Sequence, residues 1–280
     1  MGDCAVPQIR LILQLRRCPR VQCMAESKRI VVKFGSGILT KPDRVSLDDA
    51  QFDALTLAIS NLRRGGHQVV VVSSGAVAAG LMAFRLVARP TDTSDLQACA
   101  AVGQSRLMHF YEALFRQHDF KVAQLLLTNG DFVSDTRRKN FQNTLERLLQ
   151  YDDVIPIINE NDSVAVDELT FGDNDTLSAR VAILAKADLL IILTSVDGLQ
   201  SNGDGKIIDQ VDDIAKALAH VRDETGHFSV GGMQTKLKAV EIAAHAGVET
   251  IIANGRRSEQ LAELIDGGGI GTRFAPKSHA

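Results

Sequence analysis

Cysteine is scarce in this chain: of four in 280 residues, Cys4, Cys18 and Cys23 precede residue 28, and only Cys99 lies in the body. That distribution provides neither a disulfide framework nor a cysteine-rich zinc site, and it fits a reducing compartment, the cytoplasm. No apolar run is long enough to read as a membrane span. Surplus positive charge is missing as well, since the formal net charge is −3. Residues 1–27 carry Arg10, Arg16, Arg17 and Arg20 against Asp3 and Glu26, so the remainder is more acidic still. An acidic body argues against nucleic acid as the main partner. Also absent are a Walker A sequence and a G-x-G-x-x-G fingerprint, which leaves a P-loop enzyme and a standard dinucleotide binder unsupported. The seven histidines are scattered, with only His227 beside a glycine-rich motif, and no Ser–His–Asp context appears.

What is present is apolar material in quantity. A hydrophobic content of 45% over this length suffices for one large core, and the expectation is a single α/β domain. The first 27 residues mix arginines with Ile9, Leu11, Ile12, Leu13 and Leu15 and faintly resemble a transit peptide, yet lack its serine richness. They read as a dispensable extension, with Met24 as an alternative start.

Taken in order, Arg29 to Phe34 is a short β-branched run that ends in Gly35-Ser36-Gly37, a buried strand feeding a tight turn. Lys33 at its end is costly to bury unless it meets an anion, the alternative being that it snorkels to solvent. Ser46 or Asp48 caps a helix with Phe52, Leu55, Ile59 and Leu62 at helical spacing, stopped by Gly65-Gly66. Gln68 to Val72 is a second strand, delivering Ser73-Ser74-Gly75-Ala76 to the start of another helix. The longest helical pattern runs from Thr93 to His118, and its Ala and Gly face suits core packing or a subunit contact. Lys121 to Leu127 is a third strand. Thr128 to Asn140, with the basic run Arg137-Arg138-Lys139, reads as a solvated loop, the alternative being a clamp on a substrate carboxylate, ahead of a helix marked by Phe141, Leu145, Leu148 and Leu149. Val154 to Ile158, Asp188 to Leu193, Val248 to Ala253 and Gly271 to Phe274 are further strands. Strands alternating with helices predict a three-layer α/β/α sandwich around a largely parallel sheet.

Two polar stretches stand out. Asn159 to Ser163 reads N-E-N-D-S, and Gly172 to Thr176 reads G-D-N-D-T ahead of an apolar helix, with Val164 to Phe171 between them as a strand-like flap. Capping accounts for one of Asp173, Asn174 and Asp175 but not for all. A glycine-punctuated stretch, Gly226 to Met233, leads through Gln234 and Thr235 to Lys236 at a helix start. In an open parallel sheet ligands bind outside the carboxyl ends of the strands, so Gly35, Ser73, Asn159 and Thr194 gather there. Two lysines and several backbone N–H donors suit a polyphosphate, while the acids and amides suit an ammonium or a metal-bound phosphate.

These residues carry a resemblance. V-V-K-F-G-S-G at 31–37, V-S-S-G-A at 72–76, A-A-V-G-Q-S-R at 100–106, I-N-E-N-D-S-V at 158–164, F-G-D-N-D-T-L-S-A at 171–179, L-T-S-V-D-G-L at 193–199 and G-G-M-Q-T-K at 231–236 resemble the amino acid kinase family. Within it they are most similar to the branch that acts on free glutamate. The resemblance implies a carbamate kinase-like fold over residues 28–280, with the amino acid held by about 28–170 and the nucleotide by about 171–275. It implies ATP- and Mg2+-dependent phosphorylation of the γ-carboxylate of L-glutamate, the first step of proline biosynthesis. Proline feedback follows from it too, while the small-residue face of the Thr93–His118 helix favours a homo-oligomer, dimer or tetramer; no metal site on protein side chains is expected.

The resemblance also assigns roles. Lys33 and Lys236 would neutralise the transferring and leaving phosphates, and Asp175 would orient them. Gly35, Ser36, Gly37, Thr194, Ser195 and the run Gly231, Gly232, Met233, Gln234, Thr235, Lys236 would border the nucleotide. Ser74, Gly75, Asp162 and Asn174 would hold glutamate, Asp162 meeting its α-ammonium. Ser195 departs from a frequent aspartate, and many relatives continue into a PUA domain where only six residues follow Phe274 here. The alternatives are a sibling kinase for aspartate, N-acetylglutamate, carbamate or UMP, or a non-catalytic sensor on the same fold.

Overall fold

The computed structural model describes residues 26–43, 45–165, 174–201, 205–214, 217 and 230–277. Most of the extension, Asp173 with nearly all of the flap, and the stretch from Gly226 to Ser229 lie outside the described residues.

Eight strands form one sheet in the order β3-β4-β2-β1-β5-β7-β8-β6: β1 (Arg29–Phe34), β2 (Gln68–Val72), β3 (Lys121–Leu127), β4 (Val154–Glu160), β5 (Leu189–Thr194), β6 (Gln210–Val211), β7 (Glu249–Asn254) and β8 (Gly271–Phe274). The six strands from β3 to β7 pair in parallel, and β8 runs antiparallel to β7. The predicted strands are all present, and β6 is an addition too short to carry a periodicity.

Alternation along the strands decides what lies on each face. Ile30, Val32 and Phe34 of β1 join Val69, Ile155 and Ile191 in one core, with Phe52 of α2 (Asp49–Arg64) and Leu107 of α4 (Thr93–Arg116). Val31, Val70, Ile158 and Ile192 join the opposite core, with Phe141 of α6 (Asp135–Leu149), Val181 of α7 (Asn174–Leu184) and Leu237 of α8 (Val230–His245). This is the predicted three-layer sandwich. Lys33 shares the parity of Val31, so β1 presents it to the layer that holds α7 and α8.

Several local expectations are decided here. Of the two candidate caps for α2, Asp48 fills the position, accepting from the Gln51 backbone N–H at 3.3 Å. Gly35-Ser36-Gly37 opens the one-turn α1 (Ser36–Leu39) where a plain turn was expected. The stretch from Thr128 to Asn140 is a correction, because it folds as α5 (Asn129–Val133) followed directly by α6. Asp131 accepts from the Thr128 N–H and hydroxyl at 2.7 and 2.8 Å, and Ser134 caps α6, so polar residues that look loop-like are helix starts. The basic run belongs to α6, where Arg137 pairs with Asp131 and Arg138 with Asp135.

Helix α3 (Ala76–Phe84) packs against α4 at the distance that glycine allows. A Cβ on Gly103 would lie 1.8 Å from the carbonyl oxygen of Ala76, and one on Gly80 would lie 2.0 Å from that of Cys99. The small-residue face of α4 is therefore spent inside the chain. It gives no support to a subunit contact.

Candidate active site

The parallel strands bring the ends of β1, β2, β4 and β5 to one sheet edge, where α3, α7 and α8 begin. Lys33, at 5% exposure, does not snorkel. Its Nζ lies 2.5 Å from Asp175 Oδ1, and Lys236 Nζ lies 3.1 Å from Asp175 Oδ2. Thr235 donates its hydroxyl to the same Oδ2 at 3.0 Å, and Lys236 also donates to the Gly232 carbonyl at 3.0 Å. Burial pushes the Asp175 carboxyl up, but the two ammonium groups outweigh it and hold the group down at about 2. Asp175 is thus ionised throughout the physiological range. Buried ammonium groups need such a counter-charge, and Asp175 meets both.

Beside this trio lies a cavity of about 530 Å³ lined by Ser36, Gly37, Ser74, Gly75, Asp162 and Asn174. Asn174 and Asp175 are neighbours at the start of α7, where successive side chains diverge by about 100°. One lines the cavity while the other meets the lysines. Asn174 Nδ2 donates to the Ser73 carbonyl and the Ser74 hydroxyl, both at 2.9 Å, and to Asn159 Oδ1 at 3.2 Å. Gly75 has φ of 101°, a conformation glycine takes without strain, and it turns the chain from β2 into α3.

Not every expected residue joins these two groups. Thr194 and Ser195 lie at the end of β5, where the Thr194 carbonyl accepts from the Gly255 N–H at 2.9 Å, but neither lines the cavity. Gly231, Gly232, Met233, Gln234, Thr235 and Lys236, expected as a glycine loop leading into the helix, lie within α8 itself, a correction. Gly35 sits close under the sheet edge: a Cβ there would lie 3.1 Å from the Leu193 carbonyl and 3.5 Å from Lys33 Nζ.

Sequence reasoning missed other groups. Glu160, 8% exposed, and Asp43 and Arg89 also line the cavity. Asn159 and Glu160 stood in the N-E-N-D-S stretch without a role, and their place at the end of β4 was the available signal.

The sequence profile of the amino acid kinase family matches residues 28–254. The chain belongs to that family. Among the relatives of this amino acid kinase, the glutamate 5-kinase of Geobacter sulfurreducens is 44% identical over 259 residues, covering 90% of this chain and 69% of the relative. The glutamate 5-kinase of Clostridium acetobutylicum is 41% identical over 265 residues, covering 92% of this chain and 98% of the relative. Among solved structures, a carbamate kinase from Giardia lamblia bound to AMP-PNP matches with a TM-score of 0.61 at 17% identity, covering 89% of this chain and 99% of that one. An N-acetylglutamate synthase from Neisseria gonorrhoeae complexed with coenzyme A and N-acetyl-glutamate matches with a TM-score of 0.64 at 18% identity, covering 90% and 60%. At such identities these structures speak for the amino acid kinase fold alone.

Among the described residues, no group of three or more His, Cys, Asp or Glu side chains could hold a metal ion, and no helix is long and apolar enough to cross a membrane.

Proposed function

We propose that this amino acid kinase transfers the γ-phosphoryl group of ATP to the γ-carboxylate of L-glutamate, giving L-glutamyl 5-phosphate and ADP. Relatives called glutamate 5-kinase, 40–45% identical over about nine-tenths of the chain, support the substrate. The observation that carries the chemistry is the Lys33–Asp175–Lys236 trio adjoining the cavity that Asn174 lines. A side-chain carboxylate with an ordinary pKa of about 4.3 is an anion at neutral pH, so it attacks without a general base. One γ-carboxylate oxygen bonds to the γ-phosphorus as the bond to the β-bridging oxygen breaks, and the electron pair leaves on ADP. What the protein must supply is alignment and positive charge.

In this reading Lys33 and Lys236 compensate the transferring and leaving phosphates, and Asp175 holds the two ammonium groups apart at a fixed spacing. Early N–H groups of α8, from Gly231 to Gln234, approach the phosphates, with Gly35, Ser36, Gly37, Thr194 and Ser195 at the nucleotide's border. Ser74, Gly75, Asp162 and Asn174 hold glutamate, Asp162 toward its α-ammonium. Residues of about 28–170 thus serve the amino acid and those of about 171–275 the nucleotide.

Magnesium fits as a passenger of the triphosphate: Mg2+ typically takes phosphate oxygens and waters with few protein ligands, and the only carboxylate in the trio already faces two ammonium groups. Bound there, it would supply charge neutralisation on the phosphates. The same reading carries proline as a feedback inhibitor, a homo-oligomer and a cytoplasmic setting. A proline titration that leaves the glutamate KM unmoved would remove the first, and a monomeric mass by light scattering would remove the second.

The test is a panel. ADP release with ATP, Mg2+ and L-glutamate should exceed that with L-aspartate, N-acetylglutamate, carbamate or UMP by at least about a hundredfold in kcat/KM, a discrimination of about 2.7 kcal/mol. Equal or better turnover of a sibling substrate would overturn the assignment.

A further inference from the structure

The run A-A-V-G-Q-S-R at 100–106 has no role in the reaction so far, although its glycine is explained by close helix packing. Gln104 projects from α4 to the end of β4, where its Oε1 accepts from Asn159 Nδ2 at 2.8 Å. Asn159 Oδ1 in turn accepts from Asn174 Nδ2 at 3.2 Å and from the Glu160 backbone N–H at 2.9 Å. Three amides stand in series from α4 to the cavity wall.

The direction of this series is fixed at two points by backbone atoms. The Ser73 carbonyl can only accept, so the Asn174 group facing it at 2.9 Å is the NH2. The Glu160 N–H can only donate, so the Asn159 atom facing it is the oxygen. Gln104 must then offer its oxygen to Asn159. The cost appears at the two ends: among the described residues, Gln104 Nε2 and Asn174 Oδ1 are buried without a hydrogen-bond partner. A buried amide oxygen left unpaired typically costs ~1–3 kcal/mol. Asn174 lines the cavity, and its Oδ1, which water does not reach, would gain from a donor that the ligand brings.

We infer that Gln104 is a positioning residue for substrate selection: acting through Asn159, it holds the Asn174 amide with its oxygen reserved for the substrate's α-ammonium. This rests on the proposed glutamate kinase reading and adds that recognition of the amino group reaches back to α4. Gln104→Met keeps length and removes the acceptor, which leaves Asn159 Nδ2 without its partner and the amide series without an anchor. Gln104→Glu keeps an acceptor oxygen at the same reach and serves as the conservative control.

The experiment compares L-glutamate with glutarate, which has both carboxylates but no amino group. Expected for Gln104→Met is a glutamate KM raised about tenfold, kcat within about twofold, an unmoved ATP KM and an unmoved glutarate Ki, so that the preference for glutamate falls about tenfold, or about 1.4 kcal/mol. Gln104→Glu should restore most of that preference. If Gln104→Met leaves the glutamate KM unchanged, or weakens glutarate and glutamate alike, the inference is wrong. Loss of thermal stability in both variants without a shift in the glutamate to glutarate ratio would contradict it as well. Failure of the underlying reading looks different: the unmutated protein itself would not phosphorylate glutamate.

Discussion

At the scale of the residue, one carboxylate between two lysines carries the account. In the proposed reaction the charge of Lys236 counts most when the phosphoryl group is in flight, so Lys236→Ala should lower kcat by about a hundredfold or more while moving the glutamate KM by less than about threefold. Steady-state kinetics in both substrates checks this, and an unchanged kcat would remove Lys236 from the mechanism. Asp175→Asn removes the carboxylate that both buried ammonium groups meet, and breaking a buried pair in this way costs about 3–5 kcal/mol. The sign of its pH dependence follows from the direction of the shift. Because the folded carboxyl is held near 2, below its ordinary value, its contribution is fully present above about pH 4 and is lost as pH falls through 2. Urea unfolding of parent and variant should therefore differ most near neutrality and converge toward pH 2.5; a constant gap would contradict the pairing.

Lys33 was legible in the sequence because an ammonium closing a β-branched strand demands an anion, and Asp175 because three polar residues at one helix start exceed what capping needs. Glu160 and Gln104 were not legible as site residues. For Glu160 the one signal was its place at the end of β4, which gives no role; the significance of Gln104 depends on a partner 55 residues away in the chain, and no local pattern encodes that.

At the scale of the element, polar starts were the source of error. Thr128 to Asn140 was expected as a loop, and the residues responsible, Thr128, Asp131 and Ser134, are the ones that initiate α5 and α6. Their preference for turns and for caps is the same chemistry, so composition alone does not separate the two. The glycines at 231 and 232 misled in a similar way, since glycine is weak inside a helix yet unremarkable in its first turn. The α3–α4 contact yields a sharper test. Gly103→Ala drives a methyl group against the Ala76 carbonyl, and the helices must separate, at a cost of about 1–3 kcal/mol. Since α3 begins at Gly75 and Ala76, which line the cavity, the variant should also raise the glutamate KM. A thermal melt and a kinetic titration check the two halves, and a variant as stable as its parent would show the contact to be looser than described.

At the scale of the whole molecule, the alternation of strand and helix was readable throughout, and with it the three layers. The edge was less so: β6 contributes two residues, and the reversal at β8 follows from tertiary packing rather than from any residue pattern. One sheet runs continuously from the cavity strands β2 and β4 to β5 and β7, so the two regions proposed to hold the substrates share that sheet and should unfold together. Saturating glutamate with a non-hydrolysable ATP analogue should raise stability by about 2.7 kcal/mol for each ligand held at a hundred times its Kd. Calorimetry should show a single transition moving upward with both ligands, whereas two transitions responding separately would divide the molecule into independent units.

The central claim is that a carboxylate oxygen of glutamate becomes bonded to phosphorus. L-Glutamate labelled with 18O in its γ-carboxylate, incubated with ATP, Mg2+ and hydroxylamine, should give γ-glutamyl hydroxamate and inorganic phosphate carrying one 18O atom, in equal amounts with ADP. Phosphate free of label, or ADP formed without hydroxamate, would contradict it.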